Sequence, residues 1–227
     1  MKNILTIIPA RGGSKSIPKK NLQYINNKTL IERAVISALK IPNSRTIVST
    51  DDAEISESLK DYPINILTRS EANSTDLASS ESVILEVLDE IGPFDGLIVL
   101  LQATSPFVDL ISLNVAINRL QNSESIDSMF SAVQKNEFIW ELEDVWVPKN
   151  HKKGARLPRQ LRNLSAVETG SFYLFKSRRF LEEKTRFCGV TEPAFTRKWS
   201  DFDVDTQEDL DLCRNLSKVL DFPPYLV

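Results

Sequence analysis

Continuous apolar runs alternate with stretches of helically spaced apolar residues along the first two thirds of the chain. An unbroken apolar run is typical of a parallel strand buried on both faces of a sheet, whereas apolar positions at helical spacing indicate an amphipathic helix. The runs that predict strands are "NILTIIPA", "RTIVST", "INILTR", "GLIVLLQ" and "SMFSAV". The helical stretches between them are "TLIERAVISALK", "DDAEISESLK", "SSESVILEVLDEI" and "DLISLNVAINRLQ". This alternation predicts an α/β fold with a doubly wound, mostly parallel sheet. We see no repeat or low-complexity linker, so residues 1–227 are expected to form one domain.

Two helices begin with capping-box spacing, Thr29 with Glu32 and Asp51 with Glu54, and Thr206 is the expected cap of the final helix.

The alternation of strand and helix signals weakens between about residues 134 and 165. There "EFIWELEDVWVP" predicts a hairpin, and "KNHKKGARLPRQLR" carries six Lys or Arg and no acid. "GSFYLF" then resumes the sheet.

Composition excludes several function classes. A net charge of −3 and a pI near 5.4 argue against a nucleic-acid partner. The chain has no apolar stretch of about 18 residues, so no membrane span is expected. Cys188 and Cys213 lack metal-ligand spacing, so reduced thiols in a cytoplasmic protein are expected. The single histidine, His151, is expected at the surface, which argues against histidine-based triads and multi-histidine metal sites. A bound metal would therefore be held by carboxylates, which favours Mg²⁺.

In open α/β sheets ligands bind beyond the carboxyl ends of the strands, where this chain carries "RGGSK", "STDD", "TRSE" and "QATSP". The first of these loops contains Gly12 and Gly13, which let the backbone approach a ligand and take positive φ. Its cations are Arg11, Lys15, Lys19 and Lys20, with no acid nearby in sequence. The loop matches neither the Walker pattern nor G-x-G-x-x-G. Backbone N–H groups with cations still suit a triphosphate; a solvated turn is the alternative.

Two further segments carry candidate chemistry. In "DFDVD", Asp201, Asp203 and Asp205 share one side if the segment is extended, and a Mg²⁺ ion would offset their repulsion. The alternative is an acidic start to the last helix, which the helix dipole favours. "STDLASSES" offers hydroxyls that either bind a base or ribose or simply cap a helix.

The motifs "PARGGSKSIPKKN", "IVSTDD", "LLQATSP", "ETGSFYLF" and "DFDVDTQEDL", in this order and spacing, resemble the N-acylneuraminate cytidylyltransferase family, the CMP-sialic acid synthetases. The resemblance spans residues 4 to 216, nearly the whole chain. Such enzymes have a Rossmann-like nucleotidyltransferase fold and join CTP to a nine-carbon 2-keto sugar acid, releasing pyrophosphate. The resemblance also implies a homodimer in which residues 134–165 form a dimerisation or substrate-covering insertion.

The resemblance implies roles for individual residues. CTP would be held by Arg11, Ser14, Lys15 and Asn21, with Gly12 and Gly13 in the same loop and with Arg69 and Ser80 in the nucleotide pocket. The sugar acid would contact Gln102, Arg159 and Tyr173. Mg²⁺ would be held by Asp203 and Asp205, which with Arg11 and Lys15 make up the implied catalytic set.

This chain departs from the family pattern mainly on the sugar side. Ser16 replaces a glycine, Val108 an arginine, Trp140 a substrate-side lysine and Thr169 an asparagine. The sugar acid therefore stays open among N-acetylneuraminic, legionaminic, pseudaminic and octulosonic acids. Two alternative functions also stay open: a nucleotidyltransferase for a sugar or alditol phosphate, and a nucleotide-binding homologue without turnover.

Overall fold

A seven-stranded sheet lies at the centre of the computed structural model, which describes residues 3–162 and 165–220, without the Arg159 side chain. The strands of the chain are β1 (Asn3–Pro9), β2 (Tyr24–Ile25), β3 (Lys28–Thr29), β4 (Ser44–Thr50), β5 (Asn65–Thr68), β6 (Gly96–Leu101), β7 (Ser128–Lys135), β8 (Trp140–Leu142), β9 (Trp146–Pro148), β10 (Ser165–Lys176) and β11 (Thr191–Phe195). The helices are α1 (Leu30–Ala38), α2 (Ala53–Ser58), α3 (Ser80–Ile91), α4 (Leu110–Asn122), α5 (Ser177–Glu183) and α6 (Gln207–Leu220).

The strand order in the sheet is β11-β7-β10-β6-β1-β4-β5. β1 runs parallel to β4 and β6, β4 runs parallel to β5, and β11 runs parallel to β7. Among the strands of this described sheet, only β10 is antiparallel to its neighbours, β6 and β7. The prediction of a mostly parallel, doubly wound sheet is confirmed, whereas α5, β11 and the β2–β3 pair were not predicted.

Both faces of the sheet are buried, as the unbroken apolar runs predicted. In β1, Ile4 and Ile8 face a core that also includes residues of α1, α2 and α4. Leu5 and Ile7 alternate with them and face α3 and α5 on the other side. α6 packs across the β2–β3 region in a third cluster. No helix among the described residues is both long and apolar enough to cross a membrane.

The capping signals are confirmed at two helices and wrong at one. Thr29 and Glu32 form a reciprocal capping box at α1, and Thr206 forms the equivalent pair of bonds with Asp209 at α6. At α2 the cap is Asp52, not Asp51. The Asp51 carboxylate instead accepts the N–H of Gly12 at 3.0 Å, a contact that ties the first loop to the end of β4.

The predicted hairpin is confirmed as β8 paired antiparallel with β9. It leaves Leu142, Val145 and Trp146 exposed. His151 is not a freely solvated surface residue: its ring lies 4.6 Å from that of Phe138 and 5.2 Å from that of Trp140. The hairpin therefore has its own small aromatic cluster.

Candidate active site

A cleft of about 470 Å³ opens where β1, β5 and β6 end and α3 begins. The residues from the sequence prediction that line it are Arg11, Ser14, Lys15, Asn21, Arg69, Ser80, Gln102 and Asp205. They come from five separate segments, three of which follow parallel strands that end at the same edge of the sheet. The roles of these residues stay predictions, but the structure brings them together.

The first loop is anchored at Gly12 in a way that the sequence did not indicate. Neither Gly12 nor Gly13 has a positive φ; that conformation occurs instead at Lys19, with φ 50°. A Cβ on Gly12 would lie 2.3 Å from the Asp52 carboxylate, so only glycine allows this close approach of the backbone. Gly13 has open space around it. The loop is therefore packed against the end of β4.

The cations of this loop are paired with acids that are distant in sequence. Arg11 and Lys15 both form ion pairs with Asp76, and Lys20 pairs with Asp205 at 3.0 Å. Asn21 donates its side-chain amide to the carbonyl of Arg11 at 2.9 Å, which fixes the backbone at the base of the loop. The loop has no acid near it in sequence, but the fold brings Asp76 and Asp205 to its cations.

Arg69 is a buried cation in this cleft. Its side chain is 7% exposed and donates to the hydroxyl and the carbonyl of Ser49, at 3.2 and 2.8 Å. Burial lowers the pKa of Arg69, while the nearby carboxylates of Asp51 and Glu86 oppose that shift. A guanidinium held so rigidly can present its remaining donors to the acceptors of a base or phosphate.

The three aspartates of "DFDVD" do not form one cluster. Asp201 pairs with Lys135 at 2.8 Å, Asp203 accepts from the Ser105 hydroxyl at 3.3 Å, and Asp205 pairs with Lys20. Within the described residues no group of three or more His, Cys, Asp or Glu could hold a metal ion. The expectation that Asp201 shares a site with the other two is therefore wrong.

Asp203 and Asp205 nonetheless influence each other. Burial raises the pKa of Asp203, and the negative charge of Asp205 adds to that shift; hydrogen bonds from Thr104 and Ser105 and the charge of Lys20 oppose it. Two neighbouring carboxylates with hydroxyls beside them are hard oxygen donors. Such a partial set fits Mg²⁺, which usually takes one or two protein carboxylates and completes its shell with phosphates and water.

An aromatic and charged cluster lies beside the cleft, around Tyr173. The Tyr173 hydroxyl donates to Glu168 at 2.6 Å, and burial together with this bond raises the pKa of the phenol above its usual value. The Arg186 guanidinium lies 4.7 Å from the centre of the Tyr173 ring and donates to Glu81, in the first turn of α3. The ring of Phe187 completes the cluster.

Tyr173 does not line the cleft itself, although its pKa responds to the charge of Asp203. The predicted sugar contact Arg159 lies outside the residues whose side chains are described. Sequence reasoning missed Asp76, Glu81, Arg186 and Ser105. The first two stand inside the hydroxyl-rich segment and the last inside "QATSP", so their segments were indicated; Arg186 carries no local signal.

The departures from the family pattern have structural positions that the sequence did not indicate. Val108 is buried in the hydrophobic core, and the Thr169 hydroxyl bonds to Ser131 within the sheet at 2.8 Å. Trp140 packs on His151 in the hairpin. Of the four departures only Ser16 lines the cleft. Val108 is therefore a core residue and Thr169 bonds within the sheet, and neither lines the described cleft.

Comparison with known proteins gives a consistent assignment. The sequence model of the cytidylyltransferase family matches residues 5–220. A pseudaminic acid cytidylyltransferase of Campylobacter jejuni is 30% identical and covers 96% of this chain and 97% of its own length. A CMP-N,N'-diacetyllegionaminic acid synthase of Legionella pneumophila is 27% identical, with 95% and 97% covered. An N-acylneuraminate cytidylyltransferase of Danio rerio is 31% identical over 90% of this chain, which spans only 48% of that protein.

Solved structures share the fold at lower identity. A CMP:2-keto-3-deoxy-manno-octonic acid synthetase, solved with CTP, superposes with a TM-score of 0.69 at 17% identity and covers 95% of this chain and 98% of its own. A 4-diphosphocytidyl-2C-methyl-D-erythritol synthase from Anaerococcus prevotii gives a TM-score of 0.69 at 15% identity, with 96% of each chain covered. At these identities the likeness concerns the fold alone.

Proposed function

This chain belongs to the cytidylyltransferase family, and we propose that it joins CTP to the anomeric hydroxyl of a nonulosonic acid, giving a CMP-sugar and pyrophosphate. The observation that carries the proposal is that the cationic first loop, the buried Arg69 and the acidic Asp205 line the same cleft. A cleft lined by several cations and by a carboxylate suits a nucleoside triphosphate attacked at its α-phosphate.

At the nucleotide end, the first loop holds the phosphates. Arg11, Lys15 and Lys20 supply positive charge, and Ser14 lines the same cleft between them. Arg69 and Ser80 face the same cleft from the end of β5 and the start of α3. We assign these two residues to the base, because a buried, immobilised guanidinium discriminates between acceptor patterns of different bases.

At the reacting end, Asp203 and Asp205 would hold Mg²⁺. When bound, this ion would neutralise charge on the phosphates and favour ionisation of the sugar hydroxyl. Ser105 and Thr104 keep the Asp203 carboxylate in place through their bonds to it, and Lys20 holds Asp205 at the edge of the cleft until the phosphates compete for the cation. These contacts position both carboxylates before substrate arrives.

The reaction follows from this arrangement. The oxygen of the 2-hydroxyl attacks the α-phosphorus in line with the bond to the β-phosphate, which breaks as the new bond forms. The electron pair of the broken bond leaves with pyrophosphate, which the cations of the first loop stabilise. The hydroxyl proton passes to a carboxylate or to solvent. Little covalent catalysis by the protein is required, since positioning and charge supply most of the rate enhancement.

The nonulosonic acid class rests on the relatives. Those of nearly equal length act, by their names, on pseudaminic and N,N'-diacetyllegionaminic acids, so we place the substrate of this chain among acylated nine-carbon sugar acids. The aromatic cluster of Tyr173 and Phe187 beside the cleft supports an acylated sugar, because acyl methyl groups pack well on rings.

We further propose that the chain acts as a cytoplasmic homodimer. The exposed apolar side chains of Leu142, Val145 and Trp146 on the hairpin are the surface that a second copy would cover. Both cysteines are free and buried, and such thiols fit a reducing compartment.

The test is pyrophosphate release with CTP and Mg²⁺ against pseudaminic, N,N'-diacetyllegionaminic, N-acetylneuraminic and 3-deoxy-octulosonic acids. Sugar and alditol phosphates form a second arm. We expect turnover with a nonulosonic acid, and a loss of more than about 100-fold in Asp203→Ala and Asp205→Ala. Asp201→Ala is the matched control, because Asp201 belongs to the same segment but pairs with Lys135; it should stay within about three-fold of the native rate.

Each alternative function predicts a different result. Turnover restricted to the phosphate arm would replace our proposal with a sugar or alditol phosphate nucleotidyltransferase. CTP binding without turnover in either arm would indicate a nucleotide-binding homologue. Native rates in the Asp203→Ala, Asp205→Ala double variant would refute the metal assignment while leaving the substrate class in place.

A further inference from the structure

Asp76 occupies a central position between the two cations that face the cleft from the first loop. One of its carboxylate oxygens pairs with Arg11 at 2.5 Å and the other pairs with Lys15. Both ion pairs hold the pKa of Asp76 below its usual value. All three residues line the cleft. The carboxylate thus stands between the two groups that the proposed function assigns to phosphate.

The segment around Asp76 has few other attachments. Up to Ser74 it is fixed to α3, because the N–H of Ser70 and the amide of Asn73 both donate to Glu86. Beyond that point the described contacts are local, and the Leu77 side chain is 96% exposed. The carboxylate of Asp76 is therefore the link that holds residues 75–78 to the first loop in the described structure.

The two ion pairs are suited to exchange. The side chains of Arg11, Lys15 and Asp76 are 33, 83 and 37% exposed, and exposed ion pairs contribute little net stability. A triphosphate brings several negative charges and many acceptor oxygens to the same cations, so it outcompetes one carboxylate. The exchange still has a cost, because the cations must give up an existing partner.

We propose that Asp76 is a competing anion of the nucleotide site: it neutralises Arg11 and Lys15 in the empty cleft and is displaced by the triphosphate. This inference rests on the proposed function only in taking the ligand to be a triphosphate. Its consequence is that nucleotide binding releases residues 75–78 from the first loop. Asp76 thereby weakens triphosphate binding and sets how much charge the empty cleft presents.

The experiment measures binding of inorganic triphosphate by calorimetry in about 50 mM salt, without and with Mg²⁺. Asp76→Asn keeps the shape of the side chain and removes its charge. Glu71→Gln is the matched control: it removes one negative charge from the same exposed segment without touching either cation. Asp76→Glu restores a carboxylate. Thermal unfolding of each variant checks that the fold is retained.

We expect Asp76→Asn to bind triphosphate about five-fold more tightly than the native chain, a factor equivalent to about 1 kcal/mol. Glu71→Gln should change the affinity by less than about two-fold, and Asp76→Glu should remain near the native value. The gain should shrink in 1 M salt, because exposed charges are then screened. CTP should show the same ranking.

Unchanged or weaker triphosphate binding by Asp76→Asn in the absence of metal would overturn the inference. A loss confined to the samples with Mg²⁺ would also overturn it, since Asp76 would then be a metal ligand. Tighter triphosphate binding without cytidylyl transfer would keep the inference and refute the proposed function. Transfer with unaltered triphosphate affinity would do the reverse.

Discussion

The ion pair between Arg186 and Glu81 connects the two halves of the proposed site. Glu81 follows Ser80 in the first turn of α3, beside the nucleotide cleft, and Arg186 lies over the ring of Tyr173. Breaking this pair should therefore affect the stability of the fold and also the position of the aromatic cluster. The perturbation is a double-mutant cycle with Arg186→Met, Glu81→Gln and the combined variant.

The geometry sets the expected magnitude. The Nε–Oε1 distance is 2.8 Å and each side chain is only 19% exposed. At an effective dielectric constant of about 20 the gross attraction at this separation is about 6 kcal/mol. Desolvation and side-chain ordering cancel most of it, so we expect a coupling free energy of about 1–2 kcal/mol. The cycle removes the separate effect of Glu81 on the α3 dipole, because that effect is present in both legs.

The assay is urea unfolding of the four proteins, with the coupling taken from the unfolding free energies. Arg179 and Glu182 provide an internal comparison: their side chains are 49 and 53% exposed, and their coupling should be only about 0.3–0.5 kcal/mol. In the enzyme assay, Arg186→Met should raise KM for the sugar acid and leave KM for CTP within about two-fold. A coupling no larger than that of the exposed pair would refute this reasoning, and so would an equal rise of both KM values.

Three further predictions concern stability and assembly. Burial raises the pKa of the Asp127 carboxylate, but a backbone N–H and a lysine outweigh that effect and hold the pKa below its usual value. The ionised carboxylate therefore contributes stability that is lost as the pH falls through the lowered pKa. Asp127→Asn should cost about 1–3 kcal/mol at pH 7 in urea unfolding, and a difference that persists well below pH ~4 would contradict the assignment. Gly170 has φ +73°, so Gly170→Ala should destabilise by about 1 kcal/mol or more, and Gly13→Ala, without positive φ and with open space around it, should not. The Trp146 side chain is 62% exposed; Trp146→Glu should lower the sedimentation coefficient if the hairpin forms the dimer interface, and a native chain that sediments as a monomer at every concentration would exclude it.

The regular elements were predictable because their signals are local. The unbroken apolar run of β1 requires burial on both faces, and the Thr29–Glu32 capping box is satisfied within one turn. β11 was missed because "TEPAF" contains a proline and little alternation. It forms only because the edge of β7 offers it a parallel partner, and that partner is distant in sequence.

The sequence predicted which segments form the candidate site, but not which of their residues contact one another. The sequence located the loops at the ends of the strands, and the cleft brings most of them together. It did not indicate that Asp76 pairs with two cations of the first loop, since such pairs form across 60 or more residues. Asp51 was misassigned for a similar reason: the N–H of Gly12, far away in sequence, competes for its carboxylate. Long-range electrostatic partners follow from topology, which local patterns do not encode.

The central claim is tested most directly by the product itself. The chain is incubated with CTP, Mg²⁺ and an acylated nonulosonic acid, and the products are identified by mass spectrometry and quantified together with pyrophosphate. We predict one CMP ester of the intact sugar acid for each pyrophosphate released, and no comparable product with ATP, GTP or UTP. Pyrophosphate released without a CMP-sugar, or no product with any nonulosonic acid, would contradict the account.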